Sequence, residues 1–342
     1  MIRPVLLATG LAIIAVVAGA GYWLWSGIHE IENRSMIEEA TVEPAPVEVR
    51  PGQSFAAVAN QLVQRDLVTD STRLRLHARW HGYADRIQPG EYALEPGLTA
   101  AELVRRMARG QVIQYQFTII EGWTFGTLWE QLGLHPAVTP TLPADATESE
   151  IMAAIDREGV AAEGRFLPET YQFPRGTRDI DILRRANRAL ERELTRAWEQ
   201  RVGQLPLDEP DEALILASII EKETAAPEER RRIAGVFVRR LEQGMRLQTD
   251  PTVIYGLGDR FDGRLRTRDL REDTPFNTYT RHGLPPTPIA MAGRASIHAA
   301  VDPLPGDALF FVSRGDGTHH FSATYDEHRQ AVRRYQLGLD EP

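Results

Sequence analysis

The order of apolar and polar positions divides the chain into one long apolar run, three short repeated units and several amphipathic segments. Residues 4–25 carry no charged side chain, and aromatic residues gather at the end of this run. A helix of that length covers the roughly 30 Å hydrocarbon core of a bilayer. The pattern therefore predicts a transmembrane anchor over residues 1–26, followed by a polar, acidic stalk over residues 27–46.

The charges on either side of the apolar run predict its orientation. Arg3 precedes the run, and Glu30 and Glu32 follow it. Because basic residues favour the cytoplasmic side of a membrane, the N-terminus is expected in the cytoplasm and the rest of the chain outside it. The alternative is a cleaved signal peptide, since residues 18–20 read Ala-Gly-Ala, a sequence of small residues suited to cleavage.

After the stalk, the pattern Gly-x-(Ser/Thr)-x3-(Val/Leu)-x3-(Leu/Met) occurs three times. Glycine allows a tight turn, the hydroxyl residue caps a helix, and the two aliphatic positions form an apolar stripe. Each set follows a strand-like piece, so the sequence predicts strand–turn–helix units, although capped helices after strands are common in many folds. The sets are Gly52, Ser54, Val58 and Leu62; Gly97, Thr99, Leu103 and Met107; and Gly122, Thr124, Leu128 and Leu132.

The remaining chain combines helical patterns with a hairpin, which together with the repeated units predicts a mixed α+β fold. Residues 244–307 are rich in Gly, Pro and polar turns and show little regular periodicity. The predicted helices cover residues 179–203, 211–225, 227–243 and 325–337, and the hairpin strands cover 309–312 and 319–323.

Composition excludes several kinds of chemistry. The chain has no cysteine, which excludes disulfides, a thiol nucleophile and zinc–thiolate sites. Its net charge of −9 argues against nucleic-acid binding. His319 and His320 are adjacent, but no third ligand follows at a recognisable spacing. The sequence therefore predicts neither a metal site nor a cofactor.

An apolar segment that ends in charged residues is the first candidate for catalysis. Residues 213–220 are apolar except for Ser218, and Glu221, Lys222 and Glu223 follow directly. On a helix, the two carboxylates point about 200° apart and cannot form a close pair. One of them could enter a cleft as a partly desolvated general acid, with Asp250 as a possible second carboxylate. The alternative is a helix whose last turn simply reaches the surface.

Three downstream segments combine amide, hydroxyl and aromatic side chains. They are "RLQTDPTVIYGLG" (246–258), "FNTYTRHGLPPTPI" (276–289) and "GTHHFSAT" (317–324). Long, poorly periodic segments of this composition are typical of functional surfaces. They suit a sugar-binding groove, and the alternative is a set of turns and proline corners that any large loop region needs.

These segments carry a resemblance to a known family. "ASIIEKETA", "GMRLQTDPTVIYGLG", "NTYTRHGLPP" and "HHFSATYDEH" resemble the MltG-type (YceG-like) endolytic murein transglycosylases, and "EGRFLPETY" (163–171) is similar to another motif of that family. The resemblance covers nearly the whole chain. It implies a LysM-like module over residues 47–115 and a YceG-like catalytic domain, with a helix-borne Glu, over residues 116–340.

The resemblance also implies an activity. Such enzymes cleave the MurNAc-β-1,4-GlcNAc bond within peptidoglycan strands and leave 1,6-anhydro-MurNAc ends, which can terminate the elongation of nascent strands. Because the muramic acid C6 hydroxyl replaces water, a single acid is enough. The implied location is a bacterial inner (cell) membrane with the catalytic domain periplasmic. The implied partners are peptidoglycan glycan strands and, for nascent strands, the glycan polymerases of wall synthesis.

The family motifs predict the site residue by residue. Glu223 is expected to be the catalytic acid because its "ETA" context resembles other transglycosylase glutamates, and Glu221 is the alternative, with Asp250 as a possible supporting residue. Arg329 departs from the family pattern, which often has Asn there. The residues expected to bind substrate are Thr224, Gln248, Thr249, Asn277, Tyr279, Glu169, Tyr171 and His319.

Two other functions remain open from the sequence. One is a non-catalytic, peptidoglycan-binding scaffold of wall synthesis, against which the intact Glu-Lys-Glu-Thr motif argues. The other is a hydrolysing muramidase in which Asp250 activates water opposite Glu223. The reducing ends of the products distinguish a hydrolase from an anhydro-forming enzyme.

Overall fold

The structure is a computed structural model that describes the backbone of residues 2–37 and 45–339 and the side chains from residue 11 onward. The chain is a mixed α+β protein, as predicted. It divides into two compact units. Unit 1 comprises residues 1–115 with 173–175, and unit 2 comprises residues 116–172 with 176–342.

Unit 1 combines four helices with one small sheet in its described residues. Strands β1 and β2 are antiparallel, with Glu48 opposite Glu91. The elements are α1 (Ile2–Asn33), β1 (Val47–Val49), α2 (Phe55–Gln64), α3 (Ser71–Trp80), β2 (Gly90–Tyr92) and α4 (Ala100–Arg109). One face of each helix and of the sheet packs around the buried side chains of Leu62, Leu74, Tyr92, Leu103 and Met107.

The repeated pattern forms the predicted capped helices. The hydroxyls of Ser54, Thr99 and Thr124 accept hydrogen bonds from backbone N–H groups of the first helical turn, in α2, α4 and the later helix α5 (Phe125–Gly133). The three glycines two positions before these caps all have a positive φ, which a residue with a Cβ adopts at a cost. Each set therefore builds a turn followed by a helix start.

Helix α1 is long and apolar enough to cross a membrane, with a mean hydropathy of 1.8 over its most apolar part. It continues to Asn33, seven residues beyond the end of the predicted transmembrane anchor at residue 26. Within the segment predicted as a stalk, Ile31 is buried and the Met36 N–H donates to the Leu98 carbonyl, so these residues pack within unit 1. Residues 38–44 of the predicted stalk lie outside the described residues.

Unit 2 contains the rest of the helices and three further strand pairs. In its described part, β3 pairs with β5, β4 pairs with β6 in parallel, and β7 and β8 form the predicted antiparallel hairpin. The elements that follow β3 (Tyr115–Thr118) and α5 are β4 (Val138–Thr139), α6 (Glu148–Ala154), β5 (Thr170–Phe173), β6 (Thr177–Arg178), α7 (Asp179–Glu199), α8 (Pro210–Glu223), α9 (Arg230–Glu242), α10 (Asp250–Leu257), α11 (Thr267–Arg271), α12 (Arg294–Val301), β7 (Phe310–Ser313), β8 (His319–Ser322) and α13 (Tyr325–Tyr335).

The centre of unit 2 is helix α8, which packs against α7, α9 and α12. All residues from Ala213 to Ile220 are buried, as their uniformly apolar pattern predicts. Ser218, the one polar residue in this run, donates to the Ile215 carbonyl at 2.7 Å and accepts the Ile289 N–H at 3.0 Å. The buried hydroxyl is therefore fully hydrogen-bonded.

The segment of residues 244–307 contains more regular structure than its sequence indicates. Helices α10, α11 and α12 lie within it. Five of the eight residues of α12 are buried, and only Arg294, Ala295 and His298 lie toward solvent, which is too short a pattern for a recognisable period. The composition of this segment therefore predicted its loops and missed its helices.

Candidate active site

Glu223 is the last residue of helix α8, where the chain leaves the apolar core. Thr224 follows in an extended conformation and ends the helix. The side chain of Glu223 is partly exposed, and its Oε1 accepts a short hydrogen bond from the Thr249 hydroxyl. Helix α8 thus places the Glu223 carboxyl group next to the loop that precedes α10.

The surroundings of Glu223 favour its protonated form. Burial raises its pKa to about 7, and the negative charge of Asp250 acts in the same direction. The Thr249 hydrogen bond and the electrostatic effects of His319 and Arg240 lower the pKa of Glu223 and oppose this shift. A large fraction of Glu223 therefore carries a proton near neutral pH, which a general acid requires.

The loops around Glu223 are joined by hydrogen bonds through Thr278. The Gln248 N–H donates to the Thr278 carbonyl at 3.2 Å, and the Thr249 N–H donates to the Thr278 hydroxyl at 3.1 Å. The hydroxyls of Thr252 and Thr278 lie 2.9 Å apart. These bonds bring together the Gln-Thr-Asp-Pro-Thr and Asn-Thr-Tyr-Thr segments, which the sequence placed in one groove.

Gln248 adopts a left-handed backbone conformation, with φ +53°. Outside glycine and asparagine this conformation costs about 1 kcal/mol. The side chain is exposed, and its Oε1 lies 3.3 Å from a guanidinium nitrogen of Arg240. The next residue, Thr249, is in an extended conformation and donates its hydroxyl hydrogen bond to Glu223.

Asp250 and Tyr279 form a second polar pair beside Glu223. The Tyr279 hydroxyl donates to Asp250 Oδ1 at 2.6 Å. Burial, followed by this hydrogen bond, raises the pKa of Tyr279, so the phenol keeps its proton. Asp250 is exposed, whereas Thr249 next to it is buried. The predicted residues Gln248, Thr249, Asp250 and Tyr279 thus lie around one carboxyl group.

The family motif implied that Asn277 binds substrate, but the structure places this residue in the interior. It is only 1% exposed. Its amide nitrogen donates to three backbone carbonyls, of which that of Glu272 is nearest at 2.6 Å, and its Oδ1 accepts the Tyr279 N–H at 2.8 Å. The residue therefore holds the loop that presents Tyr279.

Glu221 lies on the opposite side of α8, as the 200° separation predicts. Its side chain is 6% exposed. Its Oε2 accepts the Gly293 N–H at 2.9 Å and the Ser296 hydroxyl at 2.7 Å, and its Oε1 lies 3.7 Å from Arg230. Glu221 thereby caps the N-terminus of α12, where a negative charge is favoured by the helix dipole.

Glu121 closes the polar cluster around Glu221. Burial raises its pKa, and the charge of Glu221 raises it further, against the opposing effect of Arg230. The Glu121 carboxylate lies close to Gly293, so a side chain at position 293 would displace it. Gly293, Ser296, Arg230 and Glu121 form a polar network that the sequence did not predict.

His319 is fixed by a buried carboxylate of the turn before α9. Glu229 accepts the His319 backbone N–H at 2.9 Å and lies 2.7 Å from its ring Nδ1. The ring packs edge-on against Phe311. His319 is close enough to lower the pKa of Glu223, as stated above. Glu229 was not identified from the sequence, because nothing in the local sequence pattern marks this residue.

Arg240 supplies a buried positive charge near Glu223. Its guanidinium donates to the carbonyls of Leu309 at 2.6 Å and Leu247 at 2.9 Å. It also lies over the ring of Phe310. The arginine therefore connects α9, the loop before α10 and the terminal hairpin.

Three predicted binding residues have their own structural partners. Thr224 is buried, and its hydroxyl accepts the Ala226 N–H at 3.0 Å. Tyr171 is buried and donates to the Leu167 carbonyl at 2.8 Å. Glu169 is exposed and lies 3.4 Å from Arg294. These contacts do not join Glu169 or Tyr171 to Glu223.

A second protonatable acid, Glu163, was not singled out from the sequence. It is buried, and its carboxylate accepts the Phe125 N–H at 3.1 Å and the Gly164 N–H at 3.1 Å. Burial raises its pKa to about 7 despite these bonds. Its position at the start of α5 marks it as a helix-capping group.

One group of possible metal ligands occurs among the described residues. Atoms of Glu32, His77 and His81 lie within 4.8 Å of one another in unit 1, whereas Glu223 belongs to unit 2. The sequence predicted no metal. His77 and His81 are four residues apart, so they lie on one face of a helix. This spacing is the feature of the sequence that could have indicated the group.

The molecule is thus an α+β protein with an N-terminal apolar helix and one protonatable carboxyl group at the end of a buried helix. The sequence pattern of the YceG-like family matches residues 47–334. The chain belongs to this family, as its motifs predicted.

Curated relatives and a solved structure extend this similarity. A Bacillus subtilis (strain 168) protein named endolytic murein transglycosylase is 28% identical over 337 residues, covering 89% of this chain and 88% of the relative. A Streptococcus pneumoniae serotype 2 protein of the same name is 23% identical, and the match covers 94% of this chain but 63% of that protein. The crystal structure of a YceG-like protein from Listeria monocytogenes aligns with a TM-score of 0.51 at 27% identity, covering 85% of this chain and all of that chain.

Substitution of Glu223 is expected to change how stability depends on pH. Its folded pKa of about 7 lies above the ordinary 4.5, so its contribution to stability is fully present below pH 4.5 and is lost as the pH rises through 7. Glu223→Gln should therefore gain about 2 kcal/mol relative to the parent between roughly pH 5 and pH 8. Urea unfolding at several pH values measures this, with Glu228→Gln as an exposed control; parallel profiles for the parent and Glu223→Gln would contradict it.

Substitution of Glu221 is expected to destabilise the fold at every pH near neutral. Glu221→Gln weakens the cap on α12 and leaves Arg230 without its buried partner. The free energy of unfolding should fall by about 2–4 kcal/mol, against less than about 0.5 kcal/mol for Glu228→Gln. Denaturant unfolding at about pH 7 measures both variants. Equal stabilities would mean that the Glu221 network does not hold α8 to α12.

Proposed function

We propose that this protein is an endolytic murein transglycosylase that cleaves the MurNAc-β-1,4-GlcNAc bond within glycan strands and forms 1,6-anhydro-MurNAc ends. The observation that carries the proposal is Glu223 at the end of a buried helix, with its raised pKa, among loops rich in hydroxyl and amide groups. Family membership and the names of the Bacillus and Streptococcus relatives support the same reaction class.

The proposed mechanism uses Glu223 first as an acid and then as a base. The protonated carboxyl gives its proton to the glycosidic oxygen, and the bond from that oxygen to C1 of MurNAc breaks. The C6 hydroxyl oxygen of the same sugar bonds to C1, and its proton passes to the Glu223 carboxylate. No water is consumed, and the enzyme returns to its starting protonation state. A raised pKa suits both steps at neutral pH.

Asp250 and Tyr279 are proposed to assist electrostatically. A positive charge develops on the sugar ring as the glycosidic bond breaks, and a fixed carboxylate near the ring stabilises it. Tyr279 holds the Asp250 carboxylate through its 2.6 Å hydrogen bond. Asp250 also raises the pKa of Glu223, so it keeps the acid protonated before the reaction.

The proposed domain roles follow from the two units. Residues 47–115 would serve as a LysM-like glycan-binding module, and residues 116–340 would form the catalytic domain with its helix-borne Glu223. Helix α1 would anchor the protein in the inner membrane with both domains on the periplasmic side, because it is long and apolar enough to span. Glycan polymerases that release nascent strands there are the proposed source of substrate.

Glu223→Gln in the full chain is the direct test of the reaction. Uncrosslinked glycan strands are incubated with the detergent-solubilised parent, Glu223→Gln or Glu228→Gln, and the products are analysed by mass spectrometry. The parent and Glu228→Gln should yield anhydro-MurNAc ends, whereas Glu223→Gln should lose at least about 100-fold in rate. Anhydro ends at the parent rate from Glu223→Gln would move the acid elsewhere, and no cleavage by a folded parent would favour a glycan-binding scaffold.

Asp250→Asn separates the transglycosylase from a hydrolysing muramidase. If Asp250 acts through its charge, its removal lowers the pKa of Glu223, so the alkaline limb of the pH–rate profile moves to lower pH and anhydro ends persist. If Asp250 activates water, the parent gives reducing MurNAc ends and Asp250→Asn loses activity at every pH. The rate between about pH 5 and pH 9 and the chemical form of the ends are the two readouts.

A further inference from the structure

Helix α3 of unit 1 exposes two large apolar side chains one turn apart. Trp80 is 90% exposed and Leu76 is 45% exposed. Both line a surface groove of about 500 Å³ together with Leu24 and Ile28 of α1. Exposed apolar side chains that gather in one groove mark a candidate interaction surface.

Close contacts fix α3 against the end of α1. A Cβ at Gly27 would come within 2.5 Å of Arg73, so the glycine permits this approach. The Arg73 guanidinium lies 4.7 Å from the ring centre of Trp23. The Thr69 hydroxyl, which precedes α3, donates to Glu30 at 2.9 Å. The groove therefore has a defined position along α1.

That position coincides with the end of the apolar run. Leu24 lies in the last turn of the uncharged residues 4–25, and Ile28 lies one turn further. When α1 spans a bilayer, this part of the helix lies at the boundary between the acyl chains and the headgroups. Leu76 and Trp80 line the same groove as Leu24 and Ile28, so they lie beside this part of α1.

The charges of α3 complement a lipid surface. Arg75 and Arg79 are exposed, and α3 contains no acidic residue after its capping Asp70. Helices that lie in a membrane interface combine Trp or Leu on one face with Arg or Lys on another. Basic side chains near a bilayer are attracted to anionic lipid headgroups.

We propose that α3 is a membrane-interface helix, which inserts Trp80 and Leu76 at the boundary of the bilayer while Arg75 and Arg79 contact anionic headgroups. The partner is the lipid surface next to α1, continuous with the bilayer around the anchor. Unit 1 is thereby held on the membrane by two elements. The inference rests on the membrane anchoring included in the proposed function, and its test separates the two.

A lipid-quenching experiment tests the proposal on the full chain. Because the protein has no cysteine, single substitutions Leu76→Cys, Leu24→Cys and Asn60→Cys each accept one environment-sensitive fluorophore. Asn60 is exposed on α2 and serves as the matched control within unit 1. The labelled proteins are reconstituted into vesicles of phosphatidylcholine and phosphatidylglycerol, with quencher-bearing lipids at a shallow acyl position.

The labels at 24 and 76 should be quenched several-fold more than the label at 60. Quenching at 24 without quenching at 76 overturns the interface helix and leaves the anchor intact. Absence of quenching at both sites overturns the anchor and the interface helix together, without bearing on the transglycosylase reaction.

A second substitution tests the role of Trp80. In the labelled Leu76→Cys protein, Trp80→Glu should reduce quenching several-fold, since a carboxylate is repelled by both the acyl chains and the anionic headgroups. Leu134→Glu replaces a residue that is 70% exposed in unit 2 and should leave quenching unchanged.

Vesicles of phosphatidylcholine alone should also reduce quenching at 76. Unchanged quenching in Trp80→Glu overturns the insertion of Trp80, and unchanged quenching without phosphatidylglycerol overturns the contribution of Arg75 and Arg79.

Discussion

Burial of helix α8 on all sides constrains the chemistry of unit 2. Eight consecutive residues, Ala213 to Ile220, are enclosed by α7, α9 and α12, so the helix cannot rotate about its axis without exposing apolar surface. The orientation of the last turn is thereby fixed. Glu221 must point toward the start of α12 and Glu223 toward the loop before α10, and neither can exchange roles with the other.

The two carboxylates differ in the partners that meet them. Glu221 receives a backbone N–H and a hydroxyl and faces Arg230, which together satisfy a buried charge. Glu223 receives one hydroxyl hydrogen bond from Thr249 and has the negative charge of Asp250 nearby. Its burial is therefore not fully compensated, which raises the pKa of Glu223 to about 7. One helix end thus supplies a capping carboxylate and the carboxyl group proposed as the catalytic acid.

The sequence predicted features that depend on local pattern. The buried run of α8, the capped starts at Ser54, Thr99 and Thr124 and the terminal hairpin all follow from periodicity and capping. Sequence-based prediction did not identify roles that depend on tertiary contacts. Glu229 is recognisable only when the fold brings His319 beside it. Asn277 matches a family motif, but its hydrogen bonds hold a loop. The packing of Ile31 in unit 1 was missed for the same reason, because the polar residues around it hide this contact in the sequence.

The continuity of α1 has a mechanical consequence. The helix runs without interruption from Ile2 to Asn33, and unit 1 is fastened to its last turns through Gly27, Glu30 and Ile31. A helix without a hinge transmits its tilt to whatever is attached rigidly to it. Since spans tilt to match the thickness of the surrounding bilayer, the proposed span at α1 would let lipid composition set the angle at which unit 1 stands above the membrane.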